Sequence, residues 1–267
     1  MLCVVGIVCG VTQLHDVVYM VCQQSSTIWR FNATTHQPLT SIIVKDLRDP
    51  HDIVACERTS QLYVAEYEKC VWRVSSDGTD IKHWLPKSAD NTFKPHTLSV
   101  KPLRLSVTST RLLVTSRFTR QLRQFDADGD ELRRVQLPDH MEPWHAVESP
   151  SGTFIVSLYN TQLKQDQVVE VNTGGAVLRQ FSDSRLTSLD TLHVAVDSHG
   201  NVFVADEHKR HILLLDDHLS LRRVIIDEHQ LNYKPPSCLC YREDKGQLLV
   251  VLYYSGSRVK VFDVVCR

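Results

Sequence analysis

Acidic residues at alternate positions in residues 126–130 (DADGD) are the first feature of this sequence that could carry chemistry. Carboxylates spaced in this way begin calcium-binding loops, which a glutamate further along completes. That glutamate and the remaining ligand spacing are missing here. The segment also falls where other parts of the chain carry turn formers, as in residues 75–78 (SSDG) and 172–175 (NTGG). We therefore expect a hairpin turn, and not a calcium site.

Other patterns that would indicate catalysis are absent from the sequence. There is no GxSxG, no GxGxxG and no phosphate-binding loop, and the eight cysteines show no CxxC spacing. Free buried thiols fit a reducing compartment, which predicts a cytoplasmic protein. Residues 1–11 carry no charge, but they lack a basic leader and a clear cleavage site, and are too short to cross a bilayer. We expect a buried strand there.

Basic and aromatic side chains interleave in several segments that we predict to be loops. Such side chains can stack on bases and contact phosphates, and Arg, Tyr and Trp also dominate protein interfaces. Residues 94–137 carry nine Lys or Arg against four Asp or Glu, although the formal net charge of the chain is −1. The predicted binding face consists of His51, Tyr67, Lys69, Arg117, Phe118, Arg120, Trp144, His145, Lys209, Arg210, Tyr253, Tyr254 and Arg258.

These residues can lie on one face only if the chain repeats a common unit. Two successive apolar runs recur six times, at intervals of about 40–50 residues. Short strands with this period are typical of a β-propeller, in which each blade is a four-stranded antiparallel sheet. We therefore predict an all-β, six-bladed β-propeller. The first runs are residues 18–22, 62–66, 112–116, 153–157, 202–206 and 248–252, and their partners are 28–32, 71–75, 122–126, 168–172, 212–216 and 259–263.

The repeats divide the chain into the blades of one domain, residues 1–267. Closed all-β folds of this length commonly form a single domain. The last repeat ends without an outer strand, so we predict that residues 1–5 supply it and close the ring. The predicted blades are residues 6–44, 50–85, 94–137, 142–181, 191–226 and 235–267.

The third repeat contains a tandem duplication. Residues 94–100 (KPHTLSV) are followed directly by residues 101–107 (KPLRLSV), which match them at five of seven positions. The spacing from Pro102 to Ser116 equals the corresponding spacing in the fourth repeat, so we predict that residues 102–107 form the inner strand. Residues 94–100 would then be a surplus loop. In the competing register the first copy is the strand, and His96 lies at the same corner as His51.

Residues 200–206 (GNVFVAD), with residues 212–216 behind them, resemble the NHL repeat. Six such copies cover essentially the whole chain, and the resemblance implies an NHL-type six-bladed propeller. In tripartite-motif NHL proteins this propeller binds RNA or protein, while RING, B-box and coiled-coil segments carry the other functions. The sequence contains no paired zinc ligands and no heptads, so the resemblance implies a recognition role alone.

Residues 50–55 (PHDIVA) are similar to one blade of the peptidyl-hydroxyglycine amidating lyase propeller. That family holds zinc near its axis with histidines from such Pro-His corners. The resemblance implies His51 and His96 as candidate zinc ligands, with His145 displaced by one residue. Three neutral imidazoles would leave an open catalytic position on the metal. Because His145 is out of register and His96 falls in the surplus copy, we favour local packing for these histidines.

Taken together, these features predict a non-catalytic binding or scaffold module that recognises a protein or peptide through its loop face, without a cofactor. Binding of single-stranded RNA to the same basic and aromatic face is the first alternative. A zinc-dependent lyase or hydrolase that uses the Pro-His corners is the second. We also expect a monomer that does not associate with membranes.

Overall fold

The computed structural model describes residues 2–4, 6–66, 69–85, 97–100, 111–182, 192–253 and 258–264. These residues form six antiparallel sheets of four strands each. The inner strand of each sheet contacts the inner strands of two other sheets, and the six contacts close into a circle. The protein is therefore a six-bladed β-propeller, as the repeat predicts, and the inner strands surround a central channel.

The first half of the chain contains the short strand β1 and the first three blades. Blade 1 is β2–β5, blade 2 is β6–β9 and blade 3 is β10–β13. The strands are β1 (Leu2–Cys3), β2 (Val8–Leu14), β3 (Val17–Cys22), β4 (Thr27–Asn32), β5 (Pro38–Ile43), β6 (Pro50–Cys56), β7 (Gln61–Glu66), β8 (Cys70–Ser75), β9 (Ile81–Leu85), β10 (Thr97–Val100), β11 (Leu112–Ser116), β12 (Gln121–Phe125) and β13 (Glu131–Gln136).

The second half contains the other three blades. Blade 4 is β14–β17, blade 5 is β18–β21, and blade 6 combines β22–β24 with β1. The strands are β14 (Met141–Glu148), β15 (Phe154–Asn160), β16 (Gln165–Val171), β17 (Val177–Phe181), β18 (His193–Val196), β19 (Val202–Asp206), β20 (His211–Leu215), β21 (Leu221–Ile226), β22 (Pro236–Arg242), β23 (Gln247–Leu252) and β24 (Arg258–Asp263).

The second strand of each blade is apolar at almost every position because both of its faces are covered. In β7, Leu62 and Val64 pack in the core cluster shared with blade 1. The alternating residues Tyr63 and Ala65 pack in the cluster shared with blade 3. Successive side chains of a strand point to opposite faces, so one continuous apolar run serves two interfaces. Each large side chain buried in this way stabilises the fold by about 1.5–3 kcal/mol.

The ring of blades closes through the first residues of the chain. Leu2 pairs with Val259 and Cys3 with Arg258, which makes β1 the outer strand of blade 6. Leu2 is 1% exposed and belongs to the core cluster between blades 6 and 1. Backbone pairing and apolar packing therefore join the two ends of the circle.

The register of blade 3 differs from the prediction. Thr97 pairs with Thr115 and Val100 with Leu112, so the first copy of the duplication forms the inner strand. The prediction that residues 102–107 occupy this place is wrong. Both copies contain Leu-Ser-Val, and the spacing that favoured the second copy is a weak guide because the free energy of loop closure grows only slowly with length. His96 and residues 101–110 lie outside the described residues.

The acidic segment of residues 126–130 is a hairpin turn, which confirms that prediction. One carboxylate oxygen of Asp126 accepts the backbone N–H groups of Asp128, Gly129 and Asp130, each at 2.9 Å. The carboxylate is thus used to hold the turn between β12 and β13. Across the described ranges, no helix has the length and apolar character required to cross a membrane.

Candidate binding site at the channel mouth

Four inner strands begin with the same irregularity. In each of β2, β6, β14 and β22, one residue near the start of the strand is skipped in the backbone pairing with the second strand of the blade. The skipped residues are Cys9, His51, Trp144 and Ser237. Such a β-bulge turns a side chain away from the regular alternation. All four skipped residues line the cavity at this end of the channel, and Cys9 also packs against the core between blades 1 and 2.

The residue that follows each bulge defines one level of the channel, which we call the neck ring. Asp52 pairs with Ala65, and Cys238 with Val251, each one residue before the end of the second strand of its blade. Thr97 and His193 have the same register, since they pair with Thr115 and Ala205. The neck ring consists of Gly10, Asp52, Thr97, His145, His193 and Cys238, one residue from each blade.

Side chains of the neck ring contact one another across blade boundaries. The rings of His145 and His193 stack, with their centroids 3.7 Å apart. Nε2 of His193 lies 3.5 Å from Sγ of Cys238, and the backbone N–H of Leu239 donates to Nδ1 of His193 at 3.3 Å. A carboxylate oxygen of Asp52 lies within 4.8 Å of ligand atoms of both His193 and Cys238. The three side chains could therefore hold a metal ion.

The electrostatic setting keeps the histidine and the thiol in their neutral forms. Burial, together with the neighbouring His145 and His51, holds the pKa of His193 well below its ordinary value. Burial likewise raises the pKa of Cys238 well above that of a free thiol. A protonated thiol is a poor nucleophile, and Nδ1 of His193 faces a backbone N–H instead of a carboxylate. The three side chains are therefore not arranged as a cysteine–histidine–aspartate nucleophilic triad.

A cavity of about 280 Å³ opens above the neck ring, at the end of the channel where the inner strands begin. Its wall comes from the strand starts and from the loops between second and third strands, which emerge at the same end. The wall includes Gln23, His51, Trp144, Glu207, Ser237 and Tyr253. The mouth of the channel is thus aromatic and polar, and it carries an acidic side chain.

At the rim, Arg117 joins blade 3 to blade 4. Its guanidinium lies over the Trp144 ring, 3.8 Å from the centroid, and donates to the Glu142 carboxylate at 2.9 Å. The neighbouring Phe118 is 55% exposed. A buried tryptophan ring, a guanidinium and a carboxylate are therefore fixed side by side at the edge of the cavity.

The structure brings only part of the predicted binding face together. His51, Trp144, His145 and Tyr253 line the cavity, and Arg117 adjoins it through Trp144. Lys69 pairs with Glu66 at 2.8 Å. Exposed positions at this end, outside the cavity wall, are Phe118, Lys209, Arg210 and Arg258, while Arg120 is half-buried in the turn after β11. Tyr67 and Tyr254, like His96, lie outside the described residues.

Sequence reasoning missed Asp52, His193, Cys238 and Glu207. A signal for two of them was present, because Asp52 and Cys238, like His145, each stand two residues after a proline. His193 stands two residues after Thr191, which the repeat spacing places at the same corner. Aligning the strand starts at that position, and not at the Pro-His pair, would have revealed the ring.

Comparison with known proteins supports the fold and goes no further. No protein-family model matches the chain, and neither does any curated protein. Among solved structures, a catalytically inactive variant of virginiamycin B lyase from Staphylococcus aureus, with quinupristin, has a TM-score of 0.66 at 12% identity, over 94% of this chain and 78% of that chain. A nidogen/laminin complex matches with a TM-score of 0.63 at 16% identity, over 84% of this chain and 81% of that chain. The Cps50 (Swd1) propeller domain of Myceliophteria thermophila has a TM-score of 0.62 at 12% identity, over 97% and 84% of the two chains. At these identities the likeness shows a shared β-propeller fold alone.

Proposed function

We propose that this propeller is a non-catalytic module that binds an extended protein segment at the mouth of its channel. The observation that carries the proposal is the rim assembly of Arg117, Trp144 and Glu142 beside the cavity. Trp, Tyr and Arg are the residues most enriched among energetically dominant contacts of protein interfaces. Their place at the edge of a concave wall suits the insertion of one side chain of a peptide.

The charge pattern at the rim favours a peptide over RNA. Arg117 is paired with Glu142 and Lys69 with Glu66, so acidic partners offset two of the basic residues of the predicted binding face. Glu207 adds a carboxylate to the cavity wall. A surface that tracks a phosphate backbone needs uncompensated positive charge. A site with both signs and exposed aromatic surface fits the backbone and side chains of a peptide. The likeness of residues 200–206 to the NHL repeat is consistent with such a recognition role.

Selection from a phage-displayed random peptide library on the purified full chain, with chelator present, tests the proposal. We expect enriched peptides whose dissociation constant rises at least about fivefold in Arg117→Ala and in Phe118→Ala, which corresponds to about 1 kcal/mol or more. The matched control is Leu178→Ala, on outer strand β17, where the leucine is 51% exposed. The control should leave the affinity unchanged.

Two results would argue against this function. One is the absence of enriched peptides, or binding that ignores both rim variants. The other is binding of a single-stranded uridine oligonucleotide that weakens steeply with salt, because release of counterions from phosphates gives that signature. The second result would favour the RNA-binding alternative.

A further inference from the structure

The neck ring brings three metal-binding side chains together from blades 2, 5 and 6. Asp52, His193 and Cys238 each offer one ligand atom, and these atoms all lie within 4.8 Å of one another. We propose that they bind a single Zn²⁺ ion in the channel neck, with the fourth coordination position open toward the mouth cavity. The inference does not depend on the proposed peptide binding, since no residue of the rim takes part in it.

The distances are close to those of a tetrahedral zinc site. Zinc–sulfur and zinc–imidazole bonds of ordinary length, at the tetrahedral angle, place sulfur and nitrogen about 3.6 Å apart. Sγ of Cys238 and Nε2 of His193 are 3.5 Å apart. The Asp52 oxygen lies within 4.8 Å of both atoms, so it needs to approach by no more than about 1.5 Å to complete the set. Its orientation is held by the N–H of Ile53, which donates to one of its oxygens at 2.8 Å.

Gly10 explains how a residue of blade 2 reaches a residue of blade 6. Blade 1 stands between these blades, and Gly10 is its member of the neck ring. A Cβ atom at this position would lie 2.7 Å from the backbone N of Ile53 and 3.0 Å from Cα of Asp52. Because the glycine has no side chain, the inner strands of blades 1 and 2 approach closely, and Asp52 extends past blade 1 toward Cys238.

The ligand set selects the metal. One thiolate, one imidazole and one carboxylate are borderline-soft donors that suit Zn²⁺, whereas Mg²⁺ and Ca²⁺ require oxygen ligands throughout. A zinc ion with one thiolate and one carboxylate has no net charge, which lowers the cost of holding it in a buried channel.

Metal uptake must displace protons from the neck ring. The Cys238 thiol ionises when it binds zinc. The His193 ring carries its proton on Nδ1 once Nε2 is coordinated, so the long contact from the Leu239 N–H is given up. Because uptake releases the Cys238 proton while the His193 ring only changes tautomer, the apparent affinity should rise about tenfold per pH unit.

Cobalt titration of the metal-stripped full chain tests the site. We expect one equivalent of Co²⁺ to produce thiolate-to-cobalt absorption in the near ultraviolet, together with the strong visible bands of a tetrahedral ion, and Zn²⁺ to remove both. Cys238→Ser should abolish the near-ultraviolet band. Asp52→Asn and His193→Gln should weaken the affinity at least about tenfold. The matched control is Cys240→Ser, two residues further along the same strand.

Several outcomes would overturn the proposal. They are the lack of a thiolate band in the unaltered protein, its retention in Cys238→Ser, and its loss in a folded Cys240→Ser protein. If Cys238→Ser does not fold, the spectrum of the unaltered protein and the affinity of Asp52→Asn decide the matter. Peptide selection is carried out in chelator, so failure of the zinc site and failure of the proposed function are distinguishable.

Discussion

Glu66 is a buried carboxylate at the loop end of β7, and its contacts make a prediction for pH. Burial opposes its ionisation, but hydrogen bonds from Lys69 and Trp72 more than compensate, and its pKa is lowered from the ordinary value. A carboxylate with a lowered pKa stabilises the fold above its unfolded pKa, and this contribution is lost as pH falls through its folded pKa. We therefore expect Glu66→Gln to reduce the loss of stability that the unaltered protein shows below about pH 4.5.

Urea unfolding at pH 5 and pH 3.5 measures this effect. Between these pH values, the loss of unfolding free energy should differ between the two proteins by less than about 1.4 kcal/mol per pH unit. That value is the limit for a single group that takes up one proton. Glu57→Gln serves as the control because Glu57 is exposed in the short helical turn after β6. An equal change in both variants would mean that the contacts of Glu66 are not the cause.

Gly10 makes a prediction about packing at the same scale. An added Cβ would meet the backbone of the neighbouring inner strand at 2.7 Å, and a backbone cannot move aside as a flexible side chain can. Gly10→Ala should therefore cost about 1–3 kcal/mol of unfolding free energy. Gly174→Ala is the matched control, since its nearest neighbour is a side-chain oxygen at 3.4 Å. Denaturant titration measures the unfolding free energy of both variants. An equal loss of unfolding free energy in the two would refute the close approach of the two strands.

At the scale of the element, the duplicated segment allows two deletions to be compared whose products are nearly identical in sequence but are expected to differ in stability. Removing residues 101–107 leaves Thr97–Val100 (β10) in place and brings it seven residues closer to β11 along the chain, so stability should change little. Removing residues 94–100 brings Arg104 into the register of Thr97, in the neck ring. Placing a charge there should cost roughly 2 kcal/mol or more.

Thermal and denaturant unfolding of the two deletion variants distinguish the registers. The two proteins differ at only two positions, so each is the control for the other. Equal stability would show that the neck ring tolerates either copy. Greater stability after removal of residues 94–100 would contradict the pairing of Thr97 with Thr115.

The same element explains why the site was harder to predict than the fold. Apolar runs such as residues 202–206 predict a strand without any knowledge of its partners, because both faces of such a strand are covered by neighbouring blades. The neck ring depends instead on a one-residue bulge in the backbone pairing of blades 2 and 4, which places Asp52, and not His51, level with His145 and His193. The proline two residues before Asp52, His145 and Cys238 is the one signal for this level of the channel, and Gly10 and His193 lack it. The residues that the bulge aligns are also chemically unlike, so no repeated motif draws attention to them.

For the whole molecule, the closure of the ring makes a quantitative prediction. β1 has only two residues, yet Leu2 is as buried as Leu249 in the cluster between blades 6 and 1. Leu2→Ala should therefore cost about 2–5 kcal/mol, similar to Leu249→Ala. Urea unfolding measures both. A loss below about 1 kcal/mol for Leu2→Ala alone would mean that the terminal strand contributes little to closure.

Much of this architecture could be predicted because it repeats. Six apolar pairs at one period predict six blades, and interfaces on both sides require continuous apolar strands. The register of blade 3 could not be predicted in this way, since residues 94–100 and 101–107 offer the same Leu-Ser-Val to one partner strand. The two copies differ only at residues 96–97 and 103–104, and strand patterning does not report on those positions.

The neck ring also has a consequence for symmetry. A circle of six like blades would present six equivalent binding directions if the same residue occurred at each position. Here the six positions hold a glycine, an aspartate, a threonine, two histidines and a cysteine. The scaffold is nearly sixfold symmetric, but its centre is not. An occupant of the channel would therefore have one preferred orientation about the axis, and a single copy would be bound per molecule.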